Sequence, residues 1–442
     1  MNIRYSIKTI EEYITLILSF VIGLMRFRHK KIDFADISKI VIVKLDHLGD
    51  VILSTPAIAN IRECFPNAHI ALVVNPSSEQ IARMIPYIDE IILYNARFFD
   101  RSGKARALDI LKGIRFAKDM RQRRFDLIVD FRGSFASLLY ALISDSKYRL
   151  DRGSYVIKRK FRRKKSPLIP LFQRGNMRGR SLFQRENMKG LSFGEREKNV
   201  YKGNELSDLH EANVSLNILA EAGFFINTRE TFIDPDIVLQ KMDSSFHWND
   251  KIPNLSFSSR RESREKSERF PNSGFDDISN YIVVIHAGGP MLLKRWASER
   301  FVELIKRLLQ DYAVKVFLVG GKDEYELAES ILDGVGDDCV INLAGKMTLA
   351  ELAYLLKQAD LFIGNDSGPM HIASACGTNV VGLYGPTNPE RFGPYGRNCI
   401  ALRMEDNCPP CAQDKCKFRD YRCIDRISVD DVIGVIKVQN MT

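Results

Sequence analysis

The residues best suited to chemistry form the segment Gly364–His371, which reads GNDSGPMH. An apolar run stops at this segment and a helical pattern follows it, so we predict a loop that connects a strand to a helix. The loop offers the Asp366 carboxylate, the Ser367 hydroxyl and, at Gly368, close access to the backbone. The unpaired N–H groups of the following helix suit an anion such as a phosphate. The alternative is an ordinary turn in which Asp366 or Ser367 caps the helix.

Three other loops are predicted to follow strands of parallel sheets, at the edge where ligands bind in open α/β folds. They are Asp46–Asp50 in the first half of the chain and His286–Pro290 and Gly385–Pro389 in the second half. The second-half loops supply Gly288 and Thr387, and Lys294 lies just downstream of Gly288. Together these groups can hold a nucleoside diphosphate through a cation and backbone N–H groups, without a metal ion. The chain carries neither a G-x-G-x-x-G fingerprint after its first strand nor a Walker A sequence.

Asp50 lies at the predicted start of a helix, on the opposite side of the expected cleft from the diphosphate-binding groups. A carboxylate in this place can accept the proton of an acceptor hydroxyl as that hydroxyl attacks a sugar. An aspartate at a helix start also serves as an N-cap, so the local sequence leaves both interpretations open. His371, in the first turn of its helix, likewise either contacts phosphates or packs as a structural histidine.

The elements that must position these loops alternate between strand and helix along the chain. Strands are predicted at Lys39–Leu45, His69–Val74, Ile91–Tyr94, Asp126–Phe131, Tyr281–His286, Val314–Gly320, Val340–Leu343, Asp360–Gly364 and Val380–Tyr384. Such alternation predicts parallel, doubly wound sheets. A chain of 442 residues is too long for one typical core. The sequence therefore predicts an α/β architecture of two αβα domains, joined by a linker and separated by a cleft.

The domain boundaries are predicted from shifts in composition. We assign residues 1–37 to an N-terminal apolar helix with a basic flank, 38–235 to the first domain with a disordered insertion at about 158–200, 236–279 to a linker, and 280–442 to the second domain. The uncharged run 13–25 is too short to span a bilayer, so it forms either an interfacial helix or a helix packed on the protein.

The basic charge is concentrated in residues 158–165, where seven of eight residues are Lys or Arg. Such a segment can contact an anionic membrane or a phosphorylated substrate. Nucleic acid is the least supported partner, because no basic surface interleaved with aromatic residues accompanies the segment.

A cluster of cysteines lies near the C-terminus. It comprises Cys408, Cys411, Cys416 and Cys423. The first pair has the spacing of a zinc knuckle, but the second pair is too widely spaced to complete the site. We therefore favour thiols over a bound structural metal and expect no metal in the reaction.

Four motifs together resemble glycosyltransferase family 9, the ADP-heptose:lipopolysaccharide heptosyltransferases. They are Lys44–Ala57 (KLDHLGDVILSTPA), Lys294–Trp296 (KRW), Gly364–His371, and Leu383–Thr387 (LYGPT), in that order. The resemblance implies a GT-B fold of two Rossmann-like domains, with the donor bound by the second. It implies inverting, metal-independent transfer of a heptose-type sugar from an ADP-sugar to a lipopolysaccharide core or a related glycolipid. The basic segment 158–165 and the N-terminal helix are compatible with a cytoplasmic enzyme in peripheral contact with the inner face of the membrane, and we expect no cofactor beyond the nucleotide sugar.

The resemblance also assigns roles by position. Asp50 corresponds to the general base and Lys294 to the lysine that binds the diphosphate. The remaining donor-side residues are Gly288, Asp366, Ser367, Gly368, His371 and Thr387, and the acceptor-side residues are His47 and Gly49. His47 replaces a small hydroxyl residue, so the identity of the acceptor stays open. Two other functions also remain open: another GT-B enzyme that uses a nucleotide sugar, such as an epimerase, and a non-catalytic, membrane-associated binding protein.

Overall fold

The structure, a computed structural model, describes residues 32–95, 107–132, 146–152, 198–202, 210–239, 281–404, 416 and 422–439. Within these residues the chain forms two α/β units, each built on a largely parallel sheet. The predicted N-terminal helix, the basic segment 158–165, most of the insertion and most of the linker lie outside the described residues.

The first sheet contains five parallel strands in the order β3-β2-β1-β4-β5. They are β1 Lys39–Lys44, β2 His69–Val74, β3 Glu90–Leu93, β4 Leu127–Asp130 and β5 Tyr148–Asp151. The helices of this unit are α1 Leu48–Ile52, α2 Thr55–Cys64, α3 Glu79–Ala82, α4 Ala107–Gln122 and α5 Glu211–Glu221. The next helix along the chain, α6 Asp236–Leu239, packs against the helix Leu349–Gln358 of the second unit. The central strand β1 is an unbroken apolar run because both of its faces are covered. Pro56 lies in the first turn of α2, and Gly223, with φ of +94°, follows the end of α5.

The second sheet contains seven strands in the order β6-β12-β11-β10-β7-β8-β9. They are β6 Lys198–Lys202, β7 Tyr281–His286, β8 Val314–Leu318, β9 Val340–Asn342, β10 Leu361–Asn365, β11 Asn379–Tyr384 and β12 Cys399–Met404. The helices of this unit are α7 Ser298–Asp311, α8 Tyr325–Val335, α9 Leu349–Gln358, α10 Gly368–Ala375, α11 Pro389–Phe392 and α12 Val429–Gln439. Because β10 and β7 are adjacent and parallel, the loops that follow them emerge side by side at one edge of the sheet.

One strand corrects the predicted domain division. β6 lies inside the range 38–235 that we assigned to the first domain, and partly inside the insertion expected to be disordered. It nevertheless pairs antiparallel with β12, at the edge of the second sheet. An edge strand leaves backbone N–H and C=O groups unpaired, and β6 satisfies those of β12. The prediction also missed β5 and β12.

The two units meet along a cleft between α1 and α10. A Cβ atom added to Gly49 in α1 would lie 2.7 Å from Cδ2 of His371 in α10, so the histidine ring packs directly on the glycine. A methyl group at Gly368 would lie 3.4 Å from Cδ2 of Leu48, across the same cleft. The first turns of α1 and α10, which carry the two halves of the predicted site, are therefore in contact.

A buried carboxylate forms a second contact between the units. Glu211, at the start of α5, accepts hydrogen bonds from Arg152 of the first unit, at 2.6 and 3.0 Å, and from Arg391 of α11, at 2.9 Å. Burial alone would raise the pKa of Glu211, but the hydrogen bonds and charge of Arg152, with Lys44 and Arg391, lower it to about 2. The neighbouring His210 ring stacks on Tyr395, and its Nε2 bonds the backbone oxygen of Gly393.

The contact between Gly49 and His371 predicts that Gly49→Ala has opposite effects on the free energy of unfolding in the wild type and in the His371→Ala variant. In the wild type, Gly49→Ala should lower the free energy of unfolding, because overpacking costs about 1–3 kcal/mol. In the His371→Ala background the clash is absent, so the gain in helix propensity, up to about 1 kcal/mol, should make the same change stabilising. Urea denaturation of the four proteins measures both effects. An equal effect in the two backgrounds would contradict this contact.

The depressed pKa of Glu211 predicts a pH-dependent contribution to stability. The pKa falls from 4.5 to about 2, so the contribution is complete above pH 4.5 and is lost as the pH falls towards 2. It amounts to roughly 3 kcal/mol at neutral pH. Glu211→Gln should therefore be less stable than the wild type at pH 7. The difference in free energy of unfolding between the two proteins should decrease as the pH falls below 4.5. The control is Glu230→Gln, which removes an exposed ion pair with Arg397 and should change the free energy of unfolding only slightly.

Candidate active site

An ion pair lies on the donor side of the cleft. Lys294, at the end of the short 3-10 helix Leu292–Lys294, places its Nζ atom 2.7 Å from Oδ2 of Asp366. Asp366 follows β10 and its side chain is 8% exposed, whereas Lys294 is 18% exposed. The fold thus brings together two residues that the sequence placed in separate motifs. An ammonium group has three N–H donors, so Lys294 can contact a ligand anion while it remains paired.

Asn365 ties together the three backbone segments around this ion pair. Its fully buried side-chain amide donates to the backbone oxygens of Ala287, at 2.7 Å, and Gly288, at 3.0 Å. Its Oδ1 atom accepts from the backbone N–H of Trp296, at 3.0 Å. Asn365 therefore fixes the loop after β7 and the segment around Lys294 relative to β10. Sequence reasoning missed this role, although a polar residue that ends a buried apolar strand was a usable signal.

The N-terminus of α10 carries no side-chain cap. Ser367 occupies the N-cap position, but its hydroxyl makes no bond to its own helix. Instead, Oγ lies 2.9 Å from Nδ1 of His286 and 3.0 Å from the backbone oxygen of Asn365. The alternative of a capped turn is therefore wrong for Ser367, and Asp366 is engaged with Lys294. The first N–H groups of α10 remain available for an anion.

Two of the predicted donor-site residues bury a polar atom that has no partner in the described part of the chain. These atoms are Nδ1 of His371 and Oγ1 of Thr387. Burial lowers the pKa of His371 to about 4, with Asp366 opposing and Lys294 reinforcing the shift, so the ring is neutral at pH 7. A buried polar atom left unpaired costs about 1–3 kcal/mol. A polar ligand that reached these atoms would recover that cost.

Gly288 provides space for a side chain. A Cβ atom at Gly288 would lie 2.0 Å from Oε1 of Glu324. The Glu324 carboxylate occupies that space and accepts from the backbone N–H groups of Gly289, at 2.6 Å, and Gly321, at 2.8 Å. Burial would raise its pKa, but bonding to His286 and to these N–H groups lowers it to about 2. Sequence reasoning predicted Gly288 at this site but missed Glu324.

Asp50 lies in the first turn of α1, but it is not the N-cap. His47 occupies the N-cap position, and the backbone N–H of Asp50 donates to the His47 oxygen at 2.9 Å. Among the described residues, no hydrogen bond or ion pair engages the Asp50 carboxylate. Burial raises its pKa, an effect that nearby Asp46 and Glu211 reinforce and Lys44 opposes. The N-cap alternative is therefore wrong, and the carboxylate is suited to accept a proton.

A second carboxylate in the same loop has the opposite environment. Asp46 lies 3.1 Å from Lys44 Nζ and 2.8 Å from a guanidinium nitrogen of Arg132. Burial would raise the pKa of Asp46, but these two cations, together with Arg152, lower it. The loop thus separates two roles: Asp46 stays ionised within its ion pairs, and Asp50 is left to take a proton. Sequence reasoning missed both arginines, because they follow β4 and β5 and carry no motif.

The other predicted site residues have simpler surroundings. His47 is exposed at the N-terminus of α1, whereas Gly49 is covered by the ring of His371. Trp296 is buried, as expected of a packing residue, and its Nε1 donates to the backbone oxygen of Ile427. Cys408 and Cys411 lie outside the described residues, and the residues that are described contain no cluster of three potential metal ligands. No described helix is long and apolar enough to cross a membrane.

Comparison with known proteins shows which family this chain resembles. The profile of glycosyltransferase family 9 (heptosyltransferase) matches residues 239–422. Lipooligosaccharide heptosyltransferase 2 of Campylobacter jejuni is 31% identical over 147 residues, which are 33% of this chain and 46% of that protein, so the matched region spans less than half of this relative. Lipopolysaccharide heptosyltransferase 3 of Escherichia coli is 24% identical over 88% of this chain and 95% of its own length.

A solved structure shares the fold over almost its whole length. The E. coli heptosyltransferase WaaC with ADP superposes with a TM-score of 0.56 and 18% identity, covering 91% of this chain and 99% of its own. The two facing parallel-sheet units therefore form a GT-B fold. The matched profile makes the second half of the chain similar to glycosyltransferase family 9, and the four ordered motifs lie around the cleft of this fold.

Proposed function

We propose that this protein is an inverting glycosyltransferase that moves a heptose-type sugar from an ADP-sugar to a sugar hydroxyl of a lipopolysaccharide core. The observation that carries the proposal is the pairing of two unlike surfaces across one cleft. On the first unit, the Asp50 carboxylate has a raised pKa and no partner among the described residues. On the second, Lys294 and the uncapped N-terminus of α10 provide an anion site.

The proposed reaction is a single displacement at the anomeric carbon. The acceptor hydroxyl gives its proton to the Asp50 carboxylate as its oxygen forms a bond to the anomeric carbon. The bond between that carbon and the diphosphate oxygen breaks, and its electron pair leaves with ADP. Attack from the face opposite the leaving group inverts the anomeric configuration. Lys294 and the N–H groups of α10 stabilise the charge that develops on the diphosphate, as preorganised donors do in other transfer reactions.

Contact between the units supports a closed arrangement for this chemistry. The ring of His371, which follows the anion site, packs on Gly49, which precedes the proposed base. A closed cleft excludes water, which would otherwise compete with the acceptor for the donor sugar. Closing and opening of the two units is therefore part of the proposed cycle, and it brings Asp50 to the donor.

The choice of substrates rests on the relatives. Two relatives carry lipooligosaccharide or lipopolysaccharide heptosyltransferase in their names, and the structure of WaaC was determined with ADP. We therefore propose ADP as the nucleotide and a lipopolysaccharide core as the acceptor. We further propose that the enzyme works in the cytoplasm, with peripheral contact to the inner face of the membrane that carries its acceptor.

Replacement of the proposed base tests the reaction. Asp50→Asn keeps the size of the side chain but removes the proton acceptor, so kcat should fall by roughly 10²- to 10⁴-fold while ADP still binds. Steady-state kinetics and calorimetry measure the two quantities. The control is Asp430→Asn, whose carboxylate is 82% exposed on α12 and should leave kcat unchanged. Wild-type turnover in Asp50→Asn would rule out the assigned role.

The nature of the donor and the absence of a metal requirement can be tested together. Calorimetry across ADP-, GDP- and UDP-sugars should show the tightest binding for an ADP-linked heptose. Turnover should survive EDTA, because Lys294 and the N–H groups of α10 provide the charge complement that a metal ion would otherwise supply. Product analysis should find a transferred sugar. An isomerised sugar would identify an epimerase instead, and loss of turnover in EDTA would contradict metal independence.

A further inference from the structure

A chain of buried polar contacts runs behind the proposed anion site. His286, the last residue of β7, has a side chain only 3% exposed and places Nε2 3.1 Å from Oε2 of Glu324. Its other ring nitrogen, Nδ1, lies 2.9 Å from Oγ of Ser367. The Glu324 carboxylate is itself fixed by two backbone N–H groups, those of Gly289 and Gly321. The imidazole ring is therefore held from one side and contacts the Ser367 hydroxyl on the other.

The Ser367 hydroxyl does not form the hydrogen bond to its own helix that an N-cap serine usually forms. A serine at the N-cap usually accepts a hydrogen bond from the N–H of the second or third residue of its helix. The second residue of α10 is Pro369, which has no N–H, so the Ser367 hydroxyl could cap only through Met370. In the structure the hydroxyl instead contacts His286 and the Asn365 backbone oxygen. The Met370 N–H, one of few donors at this helix start, is left for another acceptor.

We propose that His286 is a positioning residue of the donor site: by holding the Ser367 hydroxyl, it keeps the first N–H groups of α10 available to the donor diphosphate. This inference rests on the proposed function, because the diphosphate is the ligand that would use those groups. Glu324 serves the same end by orienting the imidazole. Three residues that lie far apart in sequence thus prevent a helix from capping itself.

A double-mutant cycle with ADP as the probe tests this coupling. His286→Ala releases Ser367, whose hydroxyl can then rotate to cap Met370 and compete with the diphosphate. The dissociation constant for ADP should rise by roughly 2- to 30-fold, the range that corresponds to the free energy of an N-cap bond. In the Ser367→Ala background the hydroxyl is absent, so His286→Ala should have little further effect on ADP affinity.

Stability separates this role from a merely structural one. His286→Ala leaves the buried Glu324 carboxylate without its imidazole partner in both backgrounds, so the melting temperature should fall in both. Only the ADP affinity should depend on whether Ser367 is present. His286→Asn, which keeps a hydrogen-bonding group near the position of Nδ1, should restore much of the affinity, whereas His286→Gln should not.

Amide hydrogen exchange at Met370 gives a readout that does not need the nucleotide. Exchange should be slower in His286→Ala than in the wild type, because the released hydroxyl caps that N–H. If the wild type fails to bind ADP but exchange changes as expected, the proposed function is wrong and the positioning role of His286 stands. Equal loss of ADP affinity in the two backgrounds, or unchanged exchange at Met370, would overturn the inference.

Discussion

The amide of Asn365 is the constraint on which the donor side of the cleft depends. Strands β7 and β10 are neighbours, but adjacency alone does not fix the loops that leave them. Three hydrogen bonds from one fully buried side chain join the loop after β7, the backbone of Trp296 and the end of β10. Lys294, which lies between the first two, is thereby held within reach of Asp366. An amide is suited to this task because it donates and accepts at once without bringing a charge into the core.

Electrostatics then distinguishes residues of the same type. Asp46 and Asp50 are four positions apart, yet cations lower the pKa of the first and burial raises that of the second. Glu211 is buried and Glu324 is partly buried, both have pKa values of about 2, and each is engaged by several donors. Ionised carboxylates here hold other groups in place. Asp50, which has no such engagement in the described structure, is the carboxylate that we propose as the base.

The sequence predicted the parts of the fold that rest on local patterns. Apolar runs such as β1 and β7 were recognisable because each carries its own signal. Asp50, Lys294 and the α10 loop could be proposed as site residues because they lie in sequence motifs. Asn365, Glu324 and Arg152 were missed because their roles depend on neighbours that are distant in sequence. The N-cap alternatives depended on details that the sequence does not show: the residue at which the helix of Asp50 begins, and the direction in which the Ser367 hydroxyl points.

The pairing of β6 with β12 bears on how the two halves can move and fold. The chain passes from the first sheet to the second before β6, returns before α5, and crosses again before β7. Along the described elements the chain therefore crosses between the halves three times, and any opening of the cleft must be shared among these connections. The second half is also incomplete without a strand from upstream, since residues 281–442 alone would expose the edge of β12 to pairing with other chains. The fold therefore has two structural units but no point at which a single cut would yield two complete proteins.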